Sequence, residues 1–316
     1  MTDVSPTRDG GLTPGQRERF ERLRRTRSLA ELADVTAARG EHAAYLAAKR
    51  EWRTLQERRL DPTPEPGVPG TTVKVGDREF HVHGITHADT DAERSFLREH
   101  VADYLDSGAS VYCEQGIWRM YFEDFERPRE MDDYRWAMER CRELDVDSHL
   151  EDVPGNFEGL LEDVDSFTGE FKQAVFSLVE DGSDVYGETF ERTLGDLASD
   201  FLTSHEGLAT GDDYESFKLT RRAATDPTHL VHLQHYYRTT FLPQPLEREW
   251  LRRHDPELEI VTHARNERMA DYGMYHASPG DTVHLLVGAA HQPGIEYYLD
   301  RFDAGERTLD GFELTE

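Results

Sequence analysis

The segment HVHGITHADTDAERSFLREHVADYLDSGASVYCEQ, residues 81–115, contains the pattern from which the fold class is predicted. Its start belongs to residues 72–86, whose alternating pattern predicts a hairpin that leads into a core strand. Residues 89–107 predict a helix, because an Asp/Thr cap precedes it and a glycine follows it. Residues 109–114 (ASVYCE) predict the next strand. Strand, helix and strand in this order form a βαβ unit, which implies a parallel sheet.

A similar pattern returns near the end of the chain, after a long charged middle. The predicted order is strand, helix, strand, helix and a last strand, at residues 258–263, 264–276, 282–289, 293–303 and 310–315. Residues 119–256 predict helices that cover one face or end of the sheet as an insertion. We therefore expect an α/β fold with a mostly parallel or mixed central sheet, βαβ units at both ends of the body and a large helical insertion.

The first 65 residues predict a separate, basic helical arm. Residues 1–15 are polar and rich in glycine and proline, which predicts disorder. Residues 17–60 predict two helices separated near Gly40, and they carry twelve basic against seven acidic residues. Residues 61–70 (DPTPEPGVPG) predict a linker to an α/β domain at residues 71–316. We expect the arm to pack on its own body or on a neighbouring subunit of a homo-oligomer, and its removal to leave the α/β body folded.

The composition is strongly acidic and poor in lysine. The net charge is −28, and only four of the 36 basic residues are lysines. Concentrated salt screens the self-repulsion of such a surface, so this composition is typical of a protein from a salt-rich cytoplasm. The negative charge argues against nucleic acid and anionic membranes as partners of the main body. A nucleic-acid-binding arm is the alternative for the basic helices, but Ala and Leu at helical spacing favour packing.

The cysteines and the absence of long apolar runs bear on location. Cys113 and Cys141 are too few for a disulfide framework and indicate a reducing compartment. The opening residues contain no apolar signal-peptide region, and no run reaches the ~18 apolar residues of a membrane span. We expect a cytoplasmic protein that does not span a membrane.

Two G-x-x-H motifs follow apolar strands and precede helices. The first runs from Gly84 to His87 (GITH) and the second from Gly288 to His291 (GAAH). Open α/β sheets bind ligands at the carboxyl ends of their strands, and glycine allows close backbone approach there. We therefore expect both histidines and both glycines at one pocket, with His83 as a further lining residue.

Glu114 closes the strand that follows the first G-x-x-H motif. Two imidazoles and one carboxylate form a recurrent ligand set for a divalent metal that keeps positions open for water, and bound water then attacks a carbonyl. We predict His87, His291 and Glu114 as ligands of Mn, Co or Zn, or Glu114 as the base. The alternative is that Glu114 pairs with an arginine and that the histidines bind backbone groups.

Arg265 follows the predicted strand at residues 258–263 and opens a helix. An arginine there could clamp a substrate carboxylate or stabilise a developing oxyanion. A surface ion pair is the ordinary alternative.

Three segments carry a family resemblance: residues 83–115, residues 264–273 (ARNERMADYG) and residues 285–295 (LLVGAAHQPGI). They resemble the TraB / pheromone-shutdown / GumN / Tiki family, which has a strand, G-x-x-H, a helix and a strand ending in glutamate. Later motifs of that family read R-N/D-x-x-M and roughly G-A-G-H-x-x-G-I. The resemblance covers residues 78–116 and 259–300, and the composition indicates a halophilic archaeal type.

The resemblance implies a domain distantly similar to erythromycin esterases and haem-binding ChaN-type proteins. In the Tiki branch it implies metal-dependent proteolysis, with roles that fall on His87, His291, Glu114 and Arg265. The chain departs from the family pattern in its first arginine after the glutamate, which comes late, and in Ala290, where the family has glycine.

The leading prediction is a metal-dependent hydrolase of peptide, amide or ester bonds, acting on a peptide or small-molecule substrate. The alternative is a non-catalytic peptide- or ligand-binding regulator resembling pheromone-shutdown proteins, and haem binding is a third candidate. His81 and His83 form an H-x-H, as in amidohydrolase and PHP-type phosphoesterases. His229, His232 and His235 recur every third residue on a predicted helix, where an exposed face is the simpler interpretation.

Overall fold

The structure is a computed structural model that describes residues 11–63, 67–122, 124–125, 129–144 and 214–315. Much of the predicted helical insertion lies outside the described residues, as do the breaks predicted within it at the Pro154-Gly155 step, at Gly182 and in the Gly207–Gly211 segment.

A mixed sheet of five strands forms the centre of the fold. Its strands are β1 (Thr71–Val75), β2 (Arg78–Ile85), β3 (Ser110–Cys113), β4 (Arg129–Glu130) and β5 (Thr282–Gly288), in the spatial order β1-β2-β5-β3-β4. Among the described strands, only the β1–β2 hairpin is antiparallel, and the other three pairs are parallel. The structure therefore confirms a mixed α/β architecture, in which β4 is only a two-residue strand.

Helices make up most of the remaining described chain. They are α1 (Pro14–Arg25), α2 (Leu29–Thr36), α3 (Glu41–Arg59), α4 (Asp91–Asp106), α5 (Gln115–Tyr121), α6 (Asp133–Glu143), α7 (Tyr214–Thr225), α8 (Leu230–Thr240), α9 (Gln244–His254), α10 (Arg265–His276) and α11 (Gln292–Asp303). The arm thus holds three helices rather than the two predicted, because Ser28 caps an additional helix start before the break at Gly40.

Strand β5 lies between β2 and β3 and runs parallel to both. In the register, Ile85 is level with Gly288 and Cys113 is level with Leu286. The carboxyl ends of these three strands therefore meet at one edge of the sheet. Helix α4 connects β2 to β3 across β5.

The strand predicted at residues 258–263 is wrong. A helical turn begins at Pro256, where Asp255 caps the amide of Leu258, and a π-helical stretch (Glu259–Ala264) continues directly into α10. The buried positions follow a helical spacing rather than alternation: Glu259, Ile260, His263 and Ala264. The predicted βαβ unit at this end is therefore not formed as expected.

The last predicted strand, at residues 310–315, is also wrong. The chain there forms a turn and coil, and Thr315 hydrogen-bonds Asp132 at the start of α6. This hydrogen bond to a side chain, rather than pairing with a strand, holds the segment in place.

Four buried clusters hold the described elements together, and the smallest joins α6 to Ile260. One lies between the sheet and helices α10 and α11, and a second lies on the opposite face with α4, α5 and α8. The third joins the arm to α9 through aromatic and aliphatic side chains: Phe20, Leu23, Tyr45, Trp52, Leu246 and Trp250. The arm is thus packed on the body of its own chain. Among the described helices, none has the length and apolar character needed to cross a bilayer.

Candidate active site

Glu114 lies between two imidazoles at the carboxyl edge of the sheet. Its Oε2 is 3.3 Å from Nε2 of His87, and its Oε1 is 3.5 Å from Nε2 of His291. This meeting follows from topology, because β2 and β3 flank β5 and each delivers one residue to the space above Gly288. Glu114 is buried, whereas the side chains of His87 and His291 remain 30% and 13% exposed.

The carboxylate of Glu114 is held on both oxygens. Arg265 donates to Oε1 at 2.8 Å, and the backbone N–H of Gly288 donates to Oε2 at 2.9 Å. A buried carboxylate needs such charge-assisted hydrogen bonds to remain ionised. The position of Glu114 is therefore fixed from two sides, with the imidazoles on the remaining approaches.

Arg265 is buried at the start of α10 and is directed at two carboxylates. Its Nε donates to Asp133 at 2.6 Å, its Nη1 donates to the carbonyl of Val261, and its Nη2 reaches Glu114. Asp133 is buried as well, at the first turn of α6. The guanidinium therefore acts as a clamp between α6 and the strand end, which is a positioning role.

A hydrogen-bonded chain orients His291. Its Nδ1 donates to Oδ1 of Asn266 at 2.7 Å, and Nδ2 of Asn266 donates to Gln244 at 3.2 Å. The second bond fixes which end of the amide faces the imidazole, so neutral His291 carries its proton on Nδ1 and presents a lone pair on Nε2. Gly294 makes the arrangement sterically feasible, since a Cβ there would lie 2.1 Å from Nδ2 of Asn266.

The loop that carries His87 is held by the buried carboxylate of Glu93. Glu93 accepts from the amide and the hydroxyl of Thr86, at 2.8 and 2.7 Å, and from the hydroxyl of Tyr121 at 2.8 Å. His87 itself has a φ of 59°, the left-handed region that non-glycine residues seldom adopt. Backbone strain of this kind persists where surrounding contacts over-determine it, and it clusters at functional sites.

The two G-x-x-H motifs each require glycine, and the steric reason differs between them. A Cβ on Gly288 would lie 2.8 Å from Nε2 of His87, so only glycine lets that ring approach β5. A Cβ on Gly84 would lie 2.8 Å from the Cα of Ala289, at the packing of β2 against the turn after β5. Gly288 thus belongs to the site, and Gly84 supports it from within the sheet.

Electrostatics separate the two histidines. Burial lowers the pKa of His291 to about 4, against the attraction of Glu114. Burial also acts against protonation of His87, but Glu114 outweighs it and the pKa of His87 is raised. Burial alone would raise the pKa of Glu114, yet the neighbouring His291, Arg265 and His87 hold it well below its usual range. The site thus contains an ionised carboxylate, a more basic His87 and a neutral His291.

His83 does not join this cluster. It lies in mid-strand on β2, where Nδ1 faces the carbonyls of Val68 and Pro69 at 3.0 and 3.1 Å and Nε2 lies 2.9 Å from Nδ1 of His284. The ring of His81 stacks on the ring of His284 at 4.7 Å. This three-histidine stack occupies a different part of the sheet from Glu114.

A divalent metal at the site would need a Glu114 oxygen and both Nε2 atoms within about 2.0–2.2 Å of one point. Both Glu114 oxygens already accept hydrogen bonds, and Arg265 adds a positive charge beside them. Within the part of the chain that the structure describes, no group of three or more His, Cys, Asp or Glu side chains is arranged to hold a metal ion. The described arrangement does not fit a metal without movement of these side chains.

Four positioning residues were not singled out from the sequence: Glu93, Tyr121, Asp133 and Asn266. Asn266 stands next to Arg265, and Glu93 follows Thr90 at the spacing of a capping box, so both carried a sequence signal. Asp133 and Tyr121 carried none, because only the tertiary packing brings α5 and α6 to the strand ends.

Comparisons with protein-family models, with curated proteins and with solved structures each gave no match to this chain.

Proposed function

We propose that this chain hydrolyses an amide, peptide or ester bond with the pair His87 and His291 around Glu114. The observation that carries the proposal is the buried, ionised Glu114 between two Nε2 atoms at distances of 3.3 and 3.5 Å. Environments that push the pKa values of neighbouring titratable groups apart are typical of acid–base catalysis. The TraB-like resemblance supports the same reaction class, by analogy alone.

The two histidines divide the proton transfers. His291, held with its proton on Nδ1, takes a proton from water on Nε2 as that water attacks the substrate carbonyl carbon. Cleavage of the bond to the leaving nitrogen or oxygen is completed when protonated His87 donates a ring proton to that atom. One water is consumed, and an acid and an amine or alcohol are released. Proton transfer from His291 to His87 through solvent restores the starting state.

Glu114 and Arg265 act behind the histidines in this mechanism. The Glu114 carboxylate stabilises each imidazolium when it forms, because it lies 3.3 and 3.5 Å from the two Nε2 atoms. Arg265 keeps that carboxylate ionised and in place. The predicted role of Arg265 at the substrate oxyanion stays a prediction, as does the predicted metal, and no step above passes through either.

The direct test is an assay of purified protein in concentrated salt against chromogenic esters and a mixed peptide library, with metal content measured on the same sample. We expect hydrolysis by the native chain and a loss of at least ~100-fold for His291→Gln, the scale of a missing general base. The Arg25→Gln variant, which changes an exposed ion pair with Glu21 on α1, serves as the matched control. A native chain that cleaves none of these substrates would refute the proposal.

Metal content distinguishes a metal-free hydrolase from a metal-dependent one. We expect no stoichiometric divalent metal in protein purified without chelator. Stoichiometric Mn, Co or Zn that is lost in His87→Ala would restore the metal-dependent form of the prediction and replace the acid–base assignment above.

A second candidate, a metal-free peptide- or ligand-binding regulator, is favoured by the full engagement of Glu114 and by the tie of Arg265 to Asp133. Its signature is saturable peptide binding that depends on His87 and His291 and leaves the peptide intact. Mass spectrometry of the peptide after long incubation distinguishes this outcome from hydrolysis.

A further inference from the structure

A chain of hydrogen bonds leads from His291 to the first residue of α9. Asn266 accepts from Nδ1 of His291 at 2.7 Å and donates to Oε1 of Gln244 at 3.2 Å. The same Oε1 accepts from Nδ1 of His263, also at 3.2 Å. Gln244, Asn266 and His263 are all buried, so water has little access to compete for these bonds. We call the side chains of Gln244, Asn266 and His291 the amide relay.

The amide relay has two consistent orders of donors and acceptors. In the order described, Gln244 presents its oxygen, Asn266 presents Oδ1 to His291, and His291 keeps its proton on Nδ1. If both amides turn over, Asn266 presents Nδ2, and His291 then carries its proton on Nε2. Only the first order leaves Nε2 free to take a proton from water. The orientation of the Gln244 amide therefore decides whether His291 can act as a base.

The arm holds the end of α9 from which Gln244 extends. The carboxylate of Glu247 accepts from the backbone N–H of Leu242 at 2.7 Å. It also accepts from the hydroxyl of Tyr45 at 2.6 Å and from Nζ of Lys49 at 3.1 Å. Tyr45 and Lys49 belong to α3 of the arm, whereas Leu242 lies two residues before Gln244. Glu247 thus connects the arm to the start of α9 through buried polar contacts.

The contact between Gln244 and Asn266 tolerates little movement of α9. Its length of 3.2 Å is at the long end of the N–H···O range of about 2.7–3.2 Å, so a displacement of ~0.5 Å would break it. The arm opposes such a displacement at two further points. The ring of Tyr45 stacks on Trp250 at 4.1 Å, and the amide of Leu29 donates to Glu249 at 2.7 Å.

We propose that Gln244 is a positioning residue for His291, and that docking of the arm on α9 keeps His291 in the form that can act as a base. The catalytic consequence rests on the proposed hydrolysis, whereas the relay itself does not. Coupling between distant parts of a protein requires an element that both parts bias, and the first turn of α9 is that element here. The arm thus acts as an activating element of the site.

The first test compares Gln244→Met with Gln244→Glu in the full-length chain in concentrated salt. Methionine keeps the side-chain length but removes the acceptor, whereas an ionised glutamate keeps an acceptor that has no donor side to turn over. Imidazole nitrogen shifts at neutral pH report the tautomer of His291, and His291→Gln assigns its signals. We expect the Nδ1-protonated tautomer in the native chain and in Gln244→Glu, and a mixture of both tautomers in Gln244→Met. Hydrolysis by Gln244→Met should be about tenfold slower, the effect of one net hydrogen bond.

The second test changes the arm and leaves the amide relay intact. Tyr45→Phe removes the hydroxyl that Glu247 accepts from but keeps the ring that stacks on Trp250, and we expect a smaller change of the His291 tautomer in the same direction. Combined with Gln244→Met, it should add no further change, because both act through the same contact. Arg24→Gln breaks an exposed ion pair between the arm and Asp300 and is the control, which should keep the native tautomer and the native rate.

A native His291 tautomer in a folded Gln244→Met chain overturns the proposal. A native tautomer in Tyr45→Phe overturns the part that concerns the arm, and this milder variant remains informative if Gln244→Met does not fold. The tautomer measurement does not depend on activity. Tautomer changes in a chain that cleaves no substrate would refute the proposed hydrolysis and leave the amide relay in place, whereas hydrolysis with unchanged tautomers would do the reverse.

Discussion

Nδ1 of His291 donates to Oδ1 of Asn266 across 2.7 Å, and this bond fixes which nitrogen of His291 faces Glu114. The proposed function depends on that orientation, because only an Nε2 without a proton can act as a base. The bond connects the second G-x-x-H motif to the residue that follows Arg265. It therefore joins the two C-terminal segments that carry the sequence resemblance.

Asn266→Ala tests this bond directly. We expect the His291 ring to populate both tautomers, as measured by imidazole nitrogen shifts, and the protein to lose about 1–3 kcal/mol because buried polar groups lose their partner. Asn266→Asp is the matched variant. It places a carboxylate beside the ring and should raise the pKa of His291 from its native value of about 4. An unchanged tautomer in Asn266→Ala would show that another contact orients the ring.

Arg265→Met tests the clamp between α6 and β3. It leaves the carboxylates of Glu114 and Asp133 buried without their cation, and we expect a loss of about 3–5 kcal/mol in urea unfolding. Arg265→Lys should lose less, because charge is kept while the fork is lost. Arg252→Met is the control, since that side chain is 56% exposed, and its effect should stay within about 0.5 kcal/mol. Equal effects of Arg265→Met and Arg252→Met would contradict the clamp.

The residues at the strand ends could be predicted from the sequence, whereas the buried carboxylates that hold them in place could not. His87, Glu114 and His291 each follow an apolar strand, so local pattern and the geometry of parallel sheets were enough to bring them together. Glu93 and Asp133 are carboxylates among 64 acidic residues, and nothing local distinguishes the buried ones. Because acidic residues are so frequent, the sequence pattern does not show which of them form buried ion pairs.

The error at residues 258–263 has a physical cause as well. The β-branched run Ile260-Val261-Thr262 favours a strand locally, but the Asp255-Pro256 pair before it is a helix start signal. The segment is helical because this conformation buries its apolar side chains. Ile260 packs beside Ala137 and Cys141 of α6. Arg265 is delivered to Glu114 by a helix rather than by a strand end.

Stability should fall with acid through the three-histidine stack. Burial lowers the pKa of His83 to about 4 and that of His284 to about 3. Both rings are therefore neutral in the native state over a range where the unfolded chain binds protons, so their contribution is intact above about pH 6.5 and is lost as the pH falls toward 4. In that pH range, each histidine lowers the free energy of unfolding by on the order of 1.4 kcal/mol per pH unit.

The measurement is urea unfolding from pH 7 to pH 4.5 in constant salt, for the native chain and His284→Phe. The variant removes one titrating group and should show a shallower decline. His232→Gln, on the exposed side of α8, is the control and should follow the native curve. Identical slopes for the native chain and His284→Phe would remove the stack as the cause.

Folding should depend on salt. The net charge of −28 creates self-repulsion that low ionic strength leaves unscreened, because the Debye length is about 30 Å at 0.01 M and 3 Å at 1 M. We expect a loss of cooperative melting in dilute buffer and its return in concentrated KCl, followed by circular dichroism. Equal restoration by sucrose would indicate general stabilisation of the compact state rather than charge screening.

The last prediction concerns the arm, for which the sequence and the packing give opposite expectations about whether it can be removed. The proline-rich linker predicts an arm that can be removed. In the structure, however, Lys49 reaches across to Glu247 of α9 at 3.1 Å, Tyr45 donates to the same carboxylate at 2.6 Å, and all three side chains are buried. Removal of residues 1–65 would leave Glu247 without its cation and expose the apolar face of α9 around Trp250. We therefore expect the truncated chain to aggregate or unfold in concentrated salt, whereas the full chain stays folded.

Single substitutions separate the ion pair from the apolar packing. Lys49→Met alone strands the carboxylate of Glu247 and should cost about 3–5 kcal/mol, whereas Lys49→Met combined with Glu247→Gln should recover part of that loss. Light scattering of each protein shows whether the exposed face drives self-association. A truncated chain that melts cooperatively as a monomer at the native temperature would show that the arm is an appendage and that the linker marks a true domain boundary.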